Sequence, residues 1–150
     1  MKIKGNPEGS TYDALIDELV AASDSMQWMI RPDVPRDPEV MELLHEFHAH
    51  LLGARDLFEW SDVKVTSGKP AMLYIYESSP QLAEDLKQTA RKLYDWRQPA
   101  LPEDLTFFRE EGENVLFEMT SEEETARFVE LTEEEQKRFF AIEGLQVETK

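Results

Sequence analysis

The chain has 150 residues, 32 acidic and 16 basic side chains, and a formal charge of −16. Its length and its 41% hydrophobic content supply material for one buried core, which excludes wholesale disorder despite the charge. With no cysteine there is no disulfide, thiol nucleophile or thiolate metal site, and a field of this sign repels nucleic acid and anionic membranes while drawing basic partners.

Residues 1–9 read as a flexible lead-in, because Gly5, Pro7 and Gly9 oppose order. No apolar segment follows Lys2 and Lys4, so this start does not read as a secretory signal, and a cytoplasmic location is expected. Ser10 or Thr11 is placed to cap a helix to about Ser23, with Tyr12, Leu15, Ile16, Leu19 and Val20 as its apolar stripe. In residues 25–31, Met26, Trp28 and Ile30 alternate with Ser25, Gln27 and Met29, the period of a short strand. Pro32, Pro35 and Pro38 stiffen the following loop. Asp37 and Pro38 then open a second helix, whose apolar positions Val40, Met41, Leu44, Phe47, Leu51 and Leu52 run to Gly53 as C-cap. Strand character follows at 57–60 or 63–66, with a turn at 67–70. Residues 71–77 are apolar on both faces, as a central strand would be.

Ser78 or Ser79 caps a third helix with Pro80 in its first turn. Its core stripe is Leu82, Leu86, Ala90 and Leu93, joined by Trp96. Residues 105–109 and 114–119 form a hairpin around Gly112, and residues 126–131 form a third strand. Thr132 with Glu135 is a capping box for a last helix over about 133–142, packing Phe139, Phe140 and Ile142 and ended by Gly144. Helices separate the early strands, whereas the late strands run consecutively. That order predicts an α+β fold: one domain over 10–145, a mainly antiparallel sheet of about five to six strands with about four helices on one face, and a polar tail at 146–150.

Tyr94–Trp96, the stretch 99–109, Gly112 and Leu131-Thr132-Glu133-Glu134 carry a resemblance. More weakly, so do Ala22-Ser23-Asp24-Ser25, Trp28-Met29-Ile30-Arg31 and Glu59-Trp60. Together they resemble a group of small uncharacterised bacterial α+β proteins, some labelled stage III sporulation protein AH. A protein of that kind is expected to bear a membrane anchor, and no apolar run here approaches the roughly 20 residues that one needs. The resemblance implies a single α+β domain and no established activity. The group often has a His-Glu pair where the second hairpin strand meets the next turn, and this chain has Thr120-Ser121-Glu122 there.

The three histidines lie in one segment, Leu44-His45-Glu46-Phe47-His48-Ala49-His50. His45 and His48 share a helix face and have the spacing of a two-histidine divalent-metal site. The HExxH metalloprotease pattern fails, because Ala49 stands where its second histidine would be. No GxSxG, GxxxxGK[ST] or GxGxxG occurs, and no cofactor is expected. Glu103-Asp104, near Glu118 or Glu130, forms the one carboxylate pairing that the hairpin arrangement suggests. Trp60, beside Glu59 and Asp62, is the best candidate for an apolar interface anchor, followed by Tyr94 and Trp96.

Acidity is concentrated late: residues 103–150 carry 15 acidic and 5 basic side chains. Glu133–Glu135 are accounted for by the helix dipole. The turn clusters Glu110, Glu111 and Glu113, and Glu122, Glu123 and Glu124, have no such local role and are the expected partner contacts. The expected function is non-enzymatic binding of a partner protein with a basic surface, of immunity or inhibitor type. The competing expectations are a metal-dependent or other enzymatic module using His45 and His48, and a DNA-mimicking inhibitor.

Overall fold

The alternating segment after the first helix builds the strand around which the sheet is organised. In the computed structural model, which describes residues 1–60, 63–64, 69–110 and 113–148, with backbone alone at 59, 60, 63 and 64, the elements follow in chain order. They are β1 (Lys2–Ile3), α1 (Ser10–Ala22), β2 (Ser25–Ile30), α2 (Glu39–Phe47), β3 (Leu51–Leu57), β4 (Glu59–Trp60), β5 (Val63–Lys64) and β6 (Ala71–Glu77). Then come α3 (Pro80–Thr89), β7 (Glu103–Arg109), β8 (Asn114–Thr120), β9 (Thr125–Phe128), α4 (Glu133–Phe140) and β10 (Val147–Glu148). Single 3₁₀ turns occupy His48–His50 and Leu93–Asp95.

Eight strands form one antiparallel sheet in the order β10-β1-β9-β8-β7-β2-β6-β3, and β4 pairs separately with β5. The α+β class and the four helices agree with expectation, whereas the sheet is larger than the five to six strands expected. Two of the additional strands, β1 and β10, have two residues each, too short to leave an alternating pattern. They pair with each other, so the stretch 1–9 taken as a lead-in and the tail at 146–150 both contribute to the sheet. Pro7 and the Glu8–Lys92 bridge tie the rest of that lead-in down.

The third addition is β3. Gly53 does not cap α2, which ends at Phe47. It lies in β3 opposite Ile75 and is absent from the glycines with positive φ, the conformation a C′ glycine adopts. Three other boundaries move. Gly9, not Ser10 or Thr11, is the N-cap of α1; Pro38 is the N-cap of α2; and the strand expected at 126–131 closes at Phe128, two residues before Glu130 turns to φ 49°. The 67–70 turn lies partly outside the described residues. Ser79 caps α3 through the Leu82 amide, and Thr132 and Glu135 form the expected reciprocal box on α4.

Helices cover one face of the sheet. The α1 stripe is almost wholly buried, and each such side chain contributes roughly 1.5–3 kcal/mol through burial. Trp28 stacks on Trp96 at 5.3 Å and meets Phe47 and Tyr76 at 4.8 Å. Trp96 Nε1 donates to the Tyr12 hydroxyl at 2.9 Å, and that hydroxyl donates to the Leu86 carbonyl at 2.8 Å, joining α1, α3 and the 3₁₀ turn through one buried oxygen. The other face carries no described helix. There Met29, Ala71 and Leu73 form a smaller buried cluster with Leu57 against it. No described helix is long and apolar enough to cross a membrane.

Candidate functional site

The residues singled out from the sequence do not converge. His45 and His48 are exposed on α2 and the following turn. The histidine with a partner is His50, whose Nε2 lies 2.8 Å from Asp85 Oδ2 and ties that turn to α3. Among the described residues no three His, Asp or Glu side chains are grouped as a metal would require. Trp60 lies in β4 opposite Val63, its side chain outside the described residues. Tyr94 and Trp96 are buried, and Trp96 stacks in the core, which removes both as surface anchors. Phe140, expected in the core, is instead 41% exposed.

The two acidic turns occupy opposite ends of β8, about 20 Å apart for seven residues at about 3.4 Å each. They are therefore separate patches. Glu111 lies outside the described residues. Glu110 accepts from Asn114 Nδ2 at 2.7 Å with φ 49°, a turn-closing role, and Glu113 is exposed. At the other end Glu122 is held by Arg31 Nη1 at 2.9 Å, Glu124 adopts φ 51° in the turn, and Glu123 is exposed.

Arg31 is the hub of that end. Its guanidinium also reaches Asp33 at 3.1 Å and Glu103 at 3.8 Å. Burial works against its charge, but the bonds to Glu122 and Asp33 hold its pKa above the ordinary value. Glu103 is buried and accepts from the Gln98 amide at 3.0 Å, and burial raises its pKa. Asp104, at φ 57° where β7 bulges against β2, exchanges two bonds with fully buried Ser121. Its amide donates to Ser121 Oγ at 2.9 Å, and its Oδ1 accepts from the Ser121 amide at 2.8 Å. Burial raises its pKa as well. These carboxylates satisfy backbone donors in two loops, and each is committed to that task.

What the sequence reading did not single out is the helix-free face itself. Two clefts lie along it, about 680 and 360 Å³, sharing Gln27, Arg55 and Phe108. The register explains the surface. Ile75, Gln27 and Thr106 lie side by side across β6, β2 and β7, with Leu73 and Met29 beside Arg55 in the next row. The larger cleft adds Leu52, Asp24, Glu77 and three serines, Ser23, Ser25 and Ser78. The smaller adds Leu57, Val115, Asp104 and Glu118, the last paired with Arg127 at 2.5 Å. Asp104 thus shares a cleft with Glu118, one of the two partners expected for it. The floor mixes apolar side chains with Gln27, Thr106 and Thr120, and carboxylates stand at both ends, Asp104 bonded to Ser121 and Glu118 to Arg127. The one legible signal was apolar content on both faces of β6.

Comparison of the chain with protein-family models, curated proteins and solved structures found no match in any of the three.

Proposed function

We propose that this protein acts by binding, and that the helix-free face of its sheet receives a basic segment of a partner protein. One arrangement carries the reading: a cleft floor in which Ile75, Phe108, Val115 and Leu57 are interleaved with Gln27 and Thr106, with Asp24 and Glu77 at one end, on a molecule of strong negative charge. Apolar area supplies affinity, while peripheral carboxylates speed encounter with a cationic partner and select against anionic ones. The net charge of −16 extends that field beyond the cleft. A protein of this design neutralises a basic surface, which is how an immunity-type or inhibitor-type protein works. No step of covalent or acid–base chemistry enters this reading.

Gly53 provides the test. It sits on β3 beside Leu52 and Arg55, opposite Ile75, and a Cβ added there meets no atom within 4 Å. Gly53→Trp therefore fills the cleft without a clash at its root. Affinity capture from the native host, at low and then high salt, is run with wild type and with Gly53→Trp. The expected result is a stoichiometric basic protein retained by wild type at low salt, lost at high salt, and lost by Gly53→Trp. A partner held equally by both chains refutes the cleft as its seat. A pure protein carrying a bound metal or small molecule, with no protein partner at either salt, refutes the binding reading itself.

A further inference from the structure

The two edges of the main sheet are built differently. One is closed by β10, which has two residues and offers almost no backbone for pairing. The other is β3, seven residues long and paired only with β6 among the described residues. Its bulge lies at the start, between Leu51 and Gly53, and from Gly53 to Leu57 its register against β6 is regular. Leu52, Ala54, Arg55 and Asp56 are exposed, so neither face of the strand is roofed. Proline and lysine, which commonly guard an edge, are absent from it, and Arg55 and Asp56 cancel in charge. Two of the four exposed large apolar side chains among the described residues stand at its ends, Leu52 at 60% and Phe58 at 54%.

In a strand paired on one side, every second residue turns its N–H and C=O toward the open side. The complement of such an edge is another extended backbone, which returns a hydrogen bond to each of those groups. A second copy of this chain is opposed by the repulsion between two molecules of charge −16, whereas a basic chain is drawn in. We infer that the basic segment of the partner docks as an added strand on the free edge of β3. This rests on the proposed binding of a basic segment and adds how that segment is held. Main-chain hydrogen bonds along β3 fix it in extended form. Every second side chain then turns to the helix-free face, beside Leu52 and Arg55 of the larger cleft. Backbone pairing reads conformation rather than side-chain identity, so β3 selects an extended segment and the molecular field selects a cationic one.

The experiment uses the full chain and two fluorescein-labelled peptides of alternating valine and lysine, about nine residues long so as to overrun β3. In the second peptide ester linkages replace the amides, which removes the N–H donors and keeps the side chains. Fluorescence anisotropy at low salt is expected to show the ester peptide binding at least about tenfold more weakly. Hydrogen exchange with the amide peptide bound is expected to slow the amides of residues 51–57. Equal binding of the two peptides overturns strand addition and leaves the basic-segment reading in place, as does protection at β2 and β7 with none at β3. Protection of β3 without peptide, in a protein that sediments as a dimer, overturns it in favour of a second copy. Binding of neither peptide at about 1 mM also overturns it. Combined with a host partner that Gly53→Trp still holds, that last result overturns the basic-segment reading as well.

Discussion

The exchange between Asp104 and Ser121 makes a prediction in which two substitutions of one residue diverge. Asp104 has φ 57°, and its Oδ1 accepts from the Ser121 amide at 2.8 Å. Asparagine keeps an acceptor in that place, tolerates left-handed backbone nearly as well as any non-glycine residue, and carries no charge to desolvate. Since burial raises the pKa of Asp104, its charge is disfavoured by the fold. Asp104→Asn is therefore expected to change stability at pH 7 by less than about 0.5 kcal/mol, or to raise it. Alanine loses the acceptor and strands the Ser121 amide, at about 1–3 kcal/mol, and adds roughly 1 kcal/mol for left-handed backbone, so Asp104→Ala should lose about 2–4 kcal/mol. The pH dependence has a definite sign. A carboxyl whose folded pKa lies above its unfolded value contributes stability that grows as pH falls from the folded toward the unfolded pKa, whose ordinary value is 3.8. Asp104→Asn removes that gain. Urea denaturation at pH 7 and again in the acid range measures both effects. If Asn proves as damaging as Ala at pH 7, the site needs the negative charge, and the backbone-acceptor account of Asp104 is wrong.

Other expectations are more direct. Tyr12→Phe removes the oxygen shared by Trp96 Nε1 and the Leu86 carbonyl, orphaning a buried indole N–H, and should lower stability by about 2–3 kcal/mol in thermal or urea unfolding. A loss below about 0.5 kcal/mol would mean that the hydroxyl is not in that bridge. Glu135 closes the α4 cap and receives Arg109 Nη1 at 2.6 Å, so Glu135→Ala should lose about 2–4 kcal/mol at pH 7. Burial alone would raise its pKa, but Arg109 and the Thr132 amide bring it below the ordinary 4.5. Its contribution is thus complete above that pH and disappears as pH falls through the folded pKa; a wild-type-to-variant difference constant down to acid pH would contradict the pairing. Gly53→Trp should leave stability within about 1 kcal/mol of wild type, because its φ is ordinary and its Cβ meets open space. A larger loss by denaturation would show that β3 has no room there.

Fold class was readable where local chemistry and burial agree. The α1 stripe, the Ser79-Pro80 start and the Thr132–Glu135 box each satisfy helix-end donors or bury one continuous face, so the signal lies within a few residues. The missed strands have the opposite character. β1 and β10 exist because Lys2 and Ile3 find Glu148 and Val147 across the whole chain, and nothing local in two residues records that pairing. β3 was obscured by two features of its own. Its glycine resembles a helix cap, and Arg55 and Asp56 break the alternation because an edge strand can expose both faces.

The candidate site was hidden for a related reason. A run of glutamates attracts the eye, yet Glu110, Glu122 and Glu124 are occupied with turn geometry or with Arg31, and the two runs stand at opposite ends of β8. The cleft is assembled from residues of five strands, among which only Asp104 and Glu118 had been considered for their charge. Gln27, Phe108 and Ile75 are individually ordinary, and they become a surface only because β2, β6 and β7 are neighbours and no described helix lies over them. Net charge of −16 says that a basic partner will be drawn to the molecule. It says nothing of where such a partner settles, because a long-range field is nearly indifferent to which carboxylates generate it. Position is decided by short-range contact, and on this fold the surface that offers it is the pair of clefts sharing Gln27 and Phe108 on the helix-free face.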